Sequence, residues 1–268
     1  MIVITVLLLA LILYLLSTVC RKGHPGLKAL QGWAYAHRGL HGNGVPENSM
    51  EAFRLAKEAG YGIELDVHLL ADGNLSVIHD SSLKRTAGVD VCVEDLTTQQ
   101  LDAYFLENTD ETIPQLSDVL QLYGGDAPLI VELKACRNNC ASLCEAACRM
   151  LDGYSGVYCL ESFDPRCIRW LRKNRPELVR GQLVENYFKT PQSKLPVVLK
   201  WLLSWQMMNF LTRPDFVSYR YSDRKHFSNF ICRKLWAAQG VTWTIKDKNQ
   251  FDTAVSEGWI PIFEGFKP

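Results

Sequence analysis

Charge of neither sign dominates this chain. Its 268 residues carry 29 Lys plus Arg against 29 Asp plus Glu. That balance argues against a nucleic-acid partner, because such proteins show a basic excess. There are no internal repeats and no low-complexity tracts, which sets aside solenoids and long disordered linkers. The nine cysteines are odd in number and lack a tidy disulfide spacing, the usage of a reducing compartment. Cys136, Cys140, Cys144 and Cys148 recur every four residues and so line one helical face. One straight helix cannot wrap four sulfurs around an ion, so they read as small packing residues rather than a zinc site.

Long apolar runs are equally scarce: one stands out, Ile2 to Val19. At ~1.5 Å per residue it reaches ~27 Å, close to a hydrocarbon core of ~30 Å. No Lys or Arg precedes it, no A-x-A site follows, and Ser17-Thr18-Val19-Cys20 makes a poor lipoprotein box. The expectation is therefore an uncleaved single-pass membrane anchor over residues 1–20, with the bilayer as a partner. Arg21, Lys22 and Lys28 follow directly, which places the rest of the chain in the cytoplasm by the positive-inside rule. A linker over 21–32 then leads into a single domain over 33–268. Roughly 230–240 residues is the size of an eight-stranded α/β barrel.

The pattern supports that class. Strand-like runs lie near Trp33–His37, Tyr61–Val67, Leu129–Lys134, Val157–Phe163, Val179–Val184, Phe216–Tyr219, Val241–Ile245 and Trp259–Phe263. Helical patterns separate most of them, and alternation of this kind implies parallel strands. The Ser49–Ala59 segment predicts a helix with Ser49 as its N-cap. Leu75–His79 is an extra strand, antiparallel because it returns after a tight turn. The Thr190–Pro214 segment is rich in large apolar residues, including Trp201 and Trp205 at i, i+4. It reads either as a barrel helix or as an insertion that dips into a membrane face.

The chemistry concentrates between Trp33 and Asp80. Glu64 and Asp66 are two apart in an apolar run, so both point to one face of a strand. Asp72-Gly73 is a hairpin signal. A turn centred there sets His79 across from Asp66, with His68 further along and its replacement nearly silent. In a barrel, residues at the C-terminal ends of strands converge on one mouth. His37, Glu64, Asp66, Glu132 and Lys134 all sit at such ends. Five ionisable groups on apolar strands would cost too much to bury unpaired. Glu64, Asp66 and Glu132 form an oxygen-only ligand set, suited to one divalent cation, Mg²⁺ or Ca²⁺, rather than zinc. Arg38 and Lys134 add fixed positive charge, which suits a phosphodiester.

The same residues carry a resemblance. His37-Arg38-Gly39, then Pro46-Glu47-Asn48, then Glu64-Leu65-Asp66 before an Asp-Gly turn and His79-Asp80 resemble the hallmark of the glycerophosphodiester phosphodiesterase family. Val131-Glu132-Leu133-Lys134, Ser162-Phe163-Asp164 and Trp243-Thr244-Ile245 resemble its later strands. The resemblance implies a TIM-type (β/α)8 barrel. It implies metal-dependent hydrolysis of a glycerophosphodiester to sn-glycerol 3-phosphate and an alcohol. His37 and His79 would be the general base and acid. The substrate's own glycerol hydroxyl would attack phosphorus first, and water would open the resulting cyclic phosphate. It implies that Arg38 and Lys134 bind substrate, that Glu47 touches metal or substrate at the mouth, and that Trp243 walls the glycerol moiety. The C-terminus departs from the family: Lys246 stands where W-T-V-N is usual, and Glu264 stands near the usual T-D. That departure bears on the alcohol and its headgroup. Two further readings stand beside the main one. One is a lysophospholipase D acting on membrane lysolipids; the other is a non-catalytic lipid-binding barrel.

Overall fold

Eight apolar runs pair as parallel strands and close on themselves in a computed structural model of the chain, which describes residues 1–190 and 193–268. The barrel strands are β1 (Tyr35–His37), β2 (Gly62–Leu69), β4 (Leu129–Leu133), β5 (Tyr158–Ser162), β6 (Arg180–Val184), β7 (Phe216–Arg220), β8 (Gln239–Ile245) and β9 (Trp259–Phe263). Their order runs β1-β9-β8-β7-β6-β5-β4-β2, and β1 pairs back onto β2. The short strand β3 (Leu75–Val77) adds antiparallel to the outer edge of β2. All eight expected strands are present, with ends shifted by a residue or two. They form as near-continuous apolar runs because both faces are covered: side chains fill the barrel inside and helices pack outside.

The helices between strands carry the expected punctuation. Met50–Glu58 is capped by Ser49, whose side chain accepts a hydrogen bond from the Ala52 amide. Pro165–Asn174 starts with proline in its first turn behind Asp164, which accepts from the Arg166 amide. Cys140–Leu151 buries Cys140, Cys144 and Cys148 against the core. Cys136 lies in the loop before that helix, so the expected face holds three thiols, not four.

Two expectations change. The apolar run near the N-terminus forms a helix, α1, over Ile2–Ser17, which is 16 residues and about 24 Å long. Among the described residues no helix is long and apolar enough to cross a membrane. The run is cut short because its C-terminal end belongs to the barrel. Thr18 caps α1, and both Thr18 and Cys20 are buried. The Thr18 carbonyl accepts from Cys232 Sγ, and Thr18 Oγ1 accepts from Trp236 Nε1. Tyr14 meets Trp205 edge-on at 6.0 Å. The expected linker is likewise structured in part: Leu30 is buried under the barrel, and its carbonyl accepts from Tyr35 Oη at 2.9 Å.

The apolar Thr190–Pro214 segment is two helices, Val197–Ser204 and Asn209–Thr212; its residues 191 and 192 lie outside the described residues. The second buries Asn209 and Thr212, whereas the first leaves Val197, Val198, Leu199 and Trp201 largely exposed.

Candidate active site

The sharp bend after β1 exists because the chain changes handedness there. Arg38 and Gly39 both have positive φ. A Cβ on Gly39 would lie 2.7 Å from the Ala52 backbone, so this position needs glycine both for its φ and for its close approach to the Met50–Glu58 helix. The bend leaves His37 at the strand end and turns Arg38 back over the barrel. Arg38 Nη1 donates to Glu47 Oε1 at 2.9 Å, and Arg38 Nε stands 3.3 Å from Asp66 Oδ2. Asn48, also at positive φ, donates to Asp66 Oδ2 at 2.8 Å.

Register then assembles the acids. His37 aligns with Glu64 across β1–β2, and Asp66 aligns with Glu132 across β2–β4. Glu64, Asp66 and Glu132 are all buried, and one oxygen from each lies within 4.8 Å of the others. Lys134 Nζ sits 3.0 Å from Asp66 Oδ1 and 2.8 Å from Glu132 Oε1. The electrostatics are strained. Burial, then the neighbouring Asp66, Glu132 and Glu161, push Glu64 well above the usual carboxylate range. Burial likewise pushes Glu132 up to about 7, against the pull of Lys134. Burial opposes the ionisation of Asp66, but Lys134, His79, Arg38 and the Asn48 hydrogen bond hold it well below that range. Glu64 Oε2 is buried with no hydrogen-bond partner among the described residues. An orphaned carboxylate oxygen facing two other acids is a misfit for protein alone and a fit for a hard divalent cation.

The two histidines share one wiring. His37 donates from Nδ1 to Glu264 Oε2 at 2.6 Å, which leaves its Nε2 lone pair free, 3.8 Å from Glu64 Oε2. Burial lowers the His37 pKa to about 4, and Arg38 adds to that, so the ring is neutral at pH 7. Glu264 stays ionised: its hydrogen bonds from His37 and Lys246 outweigh its burial. His79 donates from Nδ1 to Asp80 Oδ1 at 2.6 Å. Asp80 is held well below its ordinary range by His79 first, then Arg85, which also bridges to Glu47 Oε1 at 2.6 Å.

The structure brings every expected site residue to this end of the barrel, with one shift of register. Val67 pairs with Val77, so Ile78, not His79, stands opposite Asp66. The reason is the turn: Leu70 and Asn74 flank a three-residue loop closed by Gly73 at positive φ, one residue longer than a two-residue Asp-Gly turn. His79 lies just past the strand. His68 is held at both ring nitrogens. It is buried, with Nδ1 2.7 Å from Glu94 Oε1 and Nε2 3.2 Å from the His79 carbonyl. Trp243 forms part of the rim, with Phe163 edge-on at 5.6 Å and the Arg220 guanidinium 5.4 Å over its ring.

Four neighbours of the expected site residues have no assigned role in the sequence reading: Glu264, Asp80, Glu161 and His68. Asp80 was adjacent to His79 and could have been read as its carboxylate. Glu161 aligns with Glu132 across β4–β5 and is buried, its pKa pushed well up by burial and then by Glu132.

The match to the glycerophosphoryl diester phosphodiesterase family model runs over residues 37–229, most of the chain. A glycerophosphodiester phosphodiesterase of Caldanaerobacter subterraneus subsp. tengcongensis is 35% identical over 160 residues, 56% of this chain and 65% of that protein. The lysophospholipase D GDPD1 of Rattus norvegicus is 34% identical over 116 residues, 38% of this chain and 36% of that protein. This chain thus spans less than two thirds of the length of these curated relatives. Among solved structures, the Oleispira antarctica phosphodiesterase in complex with the product sn-glycerol-3-phosphate covers 87% of this chain and 92% of its own, at 24% identity and a TM-score of 0.71. That likeness concerns the fold. With the family model matched from His37 onward and its motif residues gathered at one barrel mouth, the chain belongs to the glycerophosphoryl diester phosphodiesterase family.

Proposed function

We propose that this protein hydrolyses a glycerophosphodiester to sn-glycerol 3-phosphate and an alcohol, with a divalent cation held by Glu64, Asp66 and Glu132. The observation that carries the reading is the pair of imidazoles, each tied through Nδ1 to a carboxylate, beside a three-carboxylate cluster flanked by Arg38 and Lys134. A bound Mg²⁺ or Ca²⁺ would supply charge neutralisation at the phosphodiester. Arg38 and Lys134 orient the phosphoryl oxygens with fixed positive charge. Neutral His37 accepts at Nε2 the proton of the attacking glycerol hydroxyl. His79 donates a proton from Nε2 to the departing alcohol oxygen as its bond to phosphorus breaks. When water opens the cyclic phosphate the two exchange roles, so no net proton is stored. Glu264 and Asp80 hold the rings in the tautomer these transfers need.

The test is turnover of glycerophosphocholine and glycerophosphoethanolamine with Mg²⁺ or Ca²⁺, with and without chelator. Chelation should abolish activity and added cation restore it. Activity indifferent to chelator removes the metal assignment; binding without turnover of any diester favours the non-catalytic barrel.

A second reading, lysophospholipase D action, rests on the exposed apolar residues Val197, Val198 and Trp201 and on α1, whose own apolar side chains from Ile2 to Leu13 are exposed. Such a surface favours contact with a bilayer. Replacing Val197, Val198 and Trp201 by serine should lower turnover of a lysolipid in vesicles and spare soluble diesters. Equal losses on both would rule the reading out.

A further inference from the structure

The strand ends opposite the carboxylate cluster hold a second concentration of charge. A cavity of about 540 Å³ there is lined by Arg21, Lys22, Arg172, Arg180, Arg213 and Trp236. Arg180 opens β6, and Arg213 lies just before β7, so the cavity sits at the foot of the barrel, away from the mouth. Only one carboxylate answers these five cations among the described residues. Asp215 takes a double hydrogen bond from Arg21 and a third from the Arg180 amide. Lys22, Arg172, Arg180 and Arg213 form no ion pair among the described residues.

Arg180 is the most constrained member. Its side chain is buried, 2% exposed. Nε donates to the Thr212 carbonyl at 3.2 Å and Nη2 to the Arg213 carbonyl at 2.9 Å. Nη1 is buried without a partner among the described residues. Burial, then the neighbouring Arg21, lower its pKa to about 10, even with Asp215 alongside. Arg172 is lowered by burial and by Arg213 in the same way. Proteins seldom bury an uncompensated guanidinium nitrogen, and a chain of balanced charge has no general excess to place here. An oxyanion would neutralise part of the repulsion and supply the missing acceptor. Guanidinium groups match phosphate oxygens in shape as well as charge.

We infer that this basal cavity is a binding site for a phosphate group, a monoester or diester, separate from the hydrolytic centre. Two sources present that chemistry. A free phosphate ester is one. The headgroup of an anionic phospholipid is the other, since α1 ends at Ser17 and the chain then lines the cavity from Val19 to Lys22.

The experiment uses the full chain. Thermal unfolding is followed with inorganic phosphate against chloride at matched ionic strength. Phosphate should raise Tm in the native chain and in Lys134→Met, which removes one of the two cations at the mouth and weakens anion binding there. The effect should be lost or weakened in Lys22→Gln/Arg213→Gln. Neither of those two side chains makes a hydrogen bond to the described residues, so this variant keeps the fold. Arg180→Gln should weaken binding further, by about 10- to 100-fold, the worth of a charge-assisted hydrogen bond. Co-sedimentation with phosphatidylcholine vesicles, with and without phosphatidylglycerol, separates the sources. A gain with phosphatidylglycerol that Lys22→Gln/Arg213→Gln loses assigns the site to a lipid headgroup. A phosphate effect without that gain assigns it to a free ester. The inference fails if neither anion has an effect, or if the variant responds as the native chain does. Turnover of soluble diesters should be unchanged in Lys22→Gln/Arg213→Gln.

Discussion

Replacing Glu264 by glutamine should harm the enzyme more than deleting the side chain. Glu264 accepts from His37 Nδ1 through Oε2 and from Lys246 Nζ through Oε1, both at 2.6 Å. Lys246 can only donate, so in Glu264→Gln it claims the amide oxygen. The amide nitrogen then faces His37 and offers a proton to Nδ1. His37 is driven to the tautomer with hydrogen on Nε2, the atom that must accept the substrate's proton. A base in the wrong tautomer is inactive until it flips, so kcat should fall by about 10²–10⁴, equivalent to about 3–5 kcal/mol of barrier. Glu264→Ala removes only the charge-assisted hydrogen bond, worth about 1.5–3 kcal/mol, and should cost about 10- to 100-fold. Adding Lys246→Met to Glu264→Gln lets the amide turn over and should recover part of the loss. The assay is steady-state hydrolysis of glycerophosphocholine at saturating Mg²⁺, with KM measured alongside kcat. KM should change little, because Glu264 acts through His37. Alanine as damaging as glutamine, or no recovery in the double variant, would refute the tautomer argument.

Glu64→Ala and Asp66→Ala should weaken cation binding, so a cation titration should show activity partly restored at high Mg²⁺ or Ca²⁺, which no concentration achieves for His37→Ala or His79→Ala. His68→Ala should lower kcat by about tenfold or more and reduce Tm, because it removes the side chain that bridges Glu94 and the His79 carbonyl and leaves both without that hydrogen-bond partner; an unchanged kcat would show that the His79 loop holds itself. The folded pKa of Glu132 is raised from 4.5 to about 7, so its contribution to stability is complete below pH 4.5 and is lost as pH rises toward 7. Its amide analogue cannot ionise, so in metal-free protein the Tm of Glu132→Gln minus that of native should grow between pH 4.5 and 7, read by calorimetry. His37, with its depressed pKa, drives stability the opposite way over much of that window, which is why the difference between the two proteins is the quantity to measure.

The barrel was legible because each strand is a short apolar run bounded by breakers, and such runs need only local pattern. The acidic cluster was legible for the same reason, since Glu64, Asp66, Glu132 and Lys134 sit inside strands whose polar residues have few other uses. What the sequence hid depends on lengths and on closure. One extra residue in the Ala71–Gly73 loop moved Ile78 into the place expected for His79. The helix α1 stopped at Ser17 because Thr18 and Cys20 pack into the barrel, a tertiary demand that hydropathy does not register. His68 lies further along its hairpin than the other candidates, but distance along a strand says nothing about what a segment from elsewhere lays across it; Glu94 arrives from such a segment, the 3-10 turn Val93–Asp95.

Glu264 shows how a departure from a family pattern gains meaning from structure. The two atypical positions, Lys246 and Glu264, read in sequence as a reason to question the alcohol and its headgroup. In the fold they touch each other, and Glu264 also touches His37. β9 pairs with β1 only because the barrel closes, and that closure brings residue 264 beside residue 37. Neither change makes sense alone. A half-buried glutamate at 264 without Lys246 would carry an unbalanced negative charge next to His37, and a lysine at 246 without Glu264 would lose its only ion-pair partner among the described residues. Together they cancel in charge and leave one carboxylate oxygen for the ring. The C-terminal departure thus bears first on how the His37 ring is held, through the carboxylate that Lys246 and His37 share.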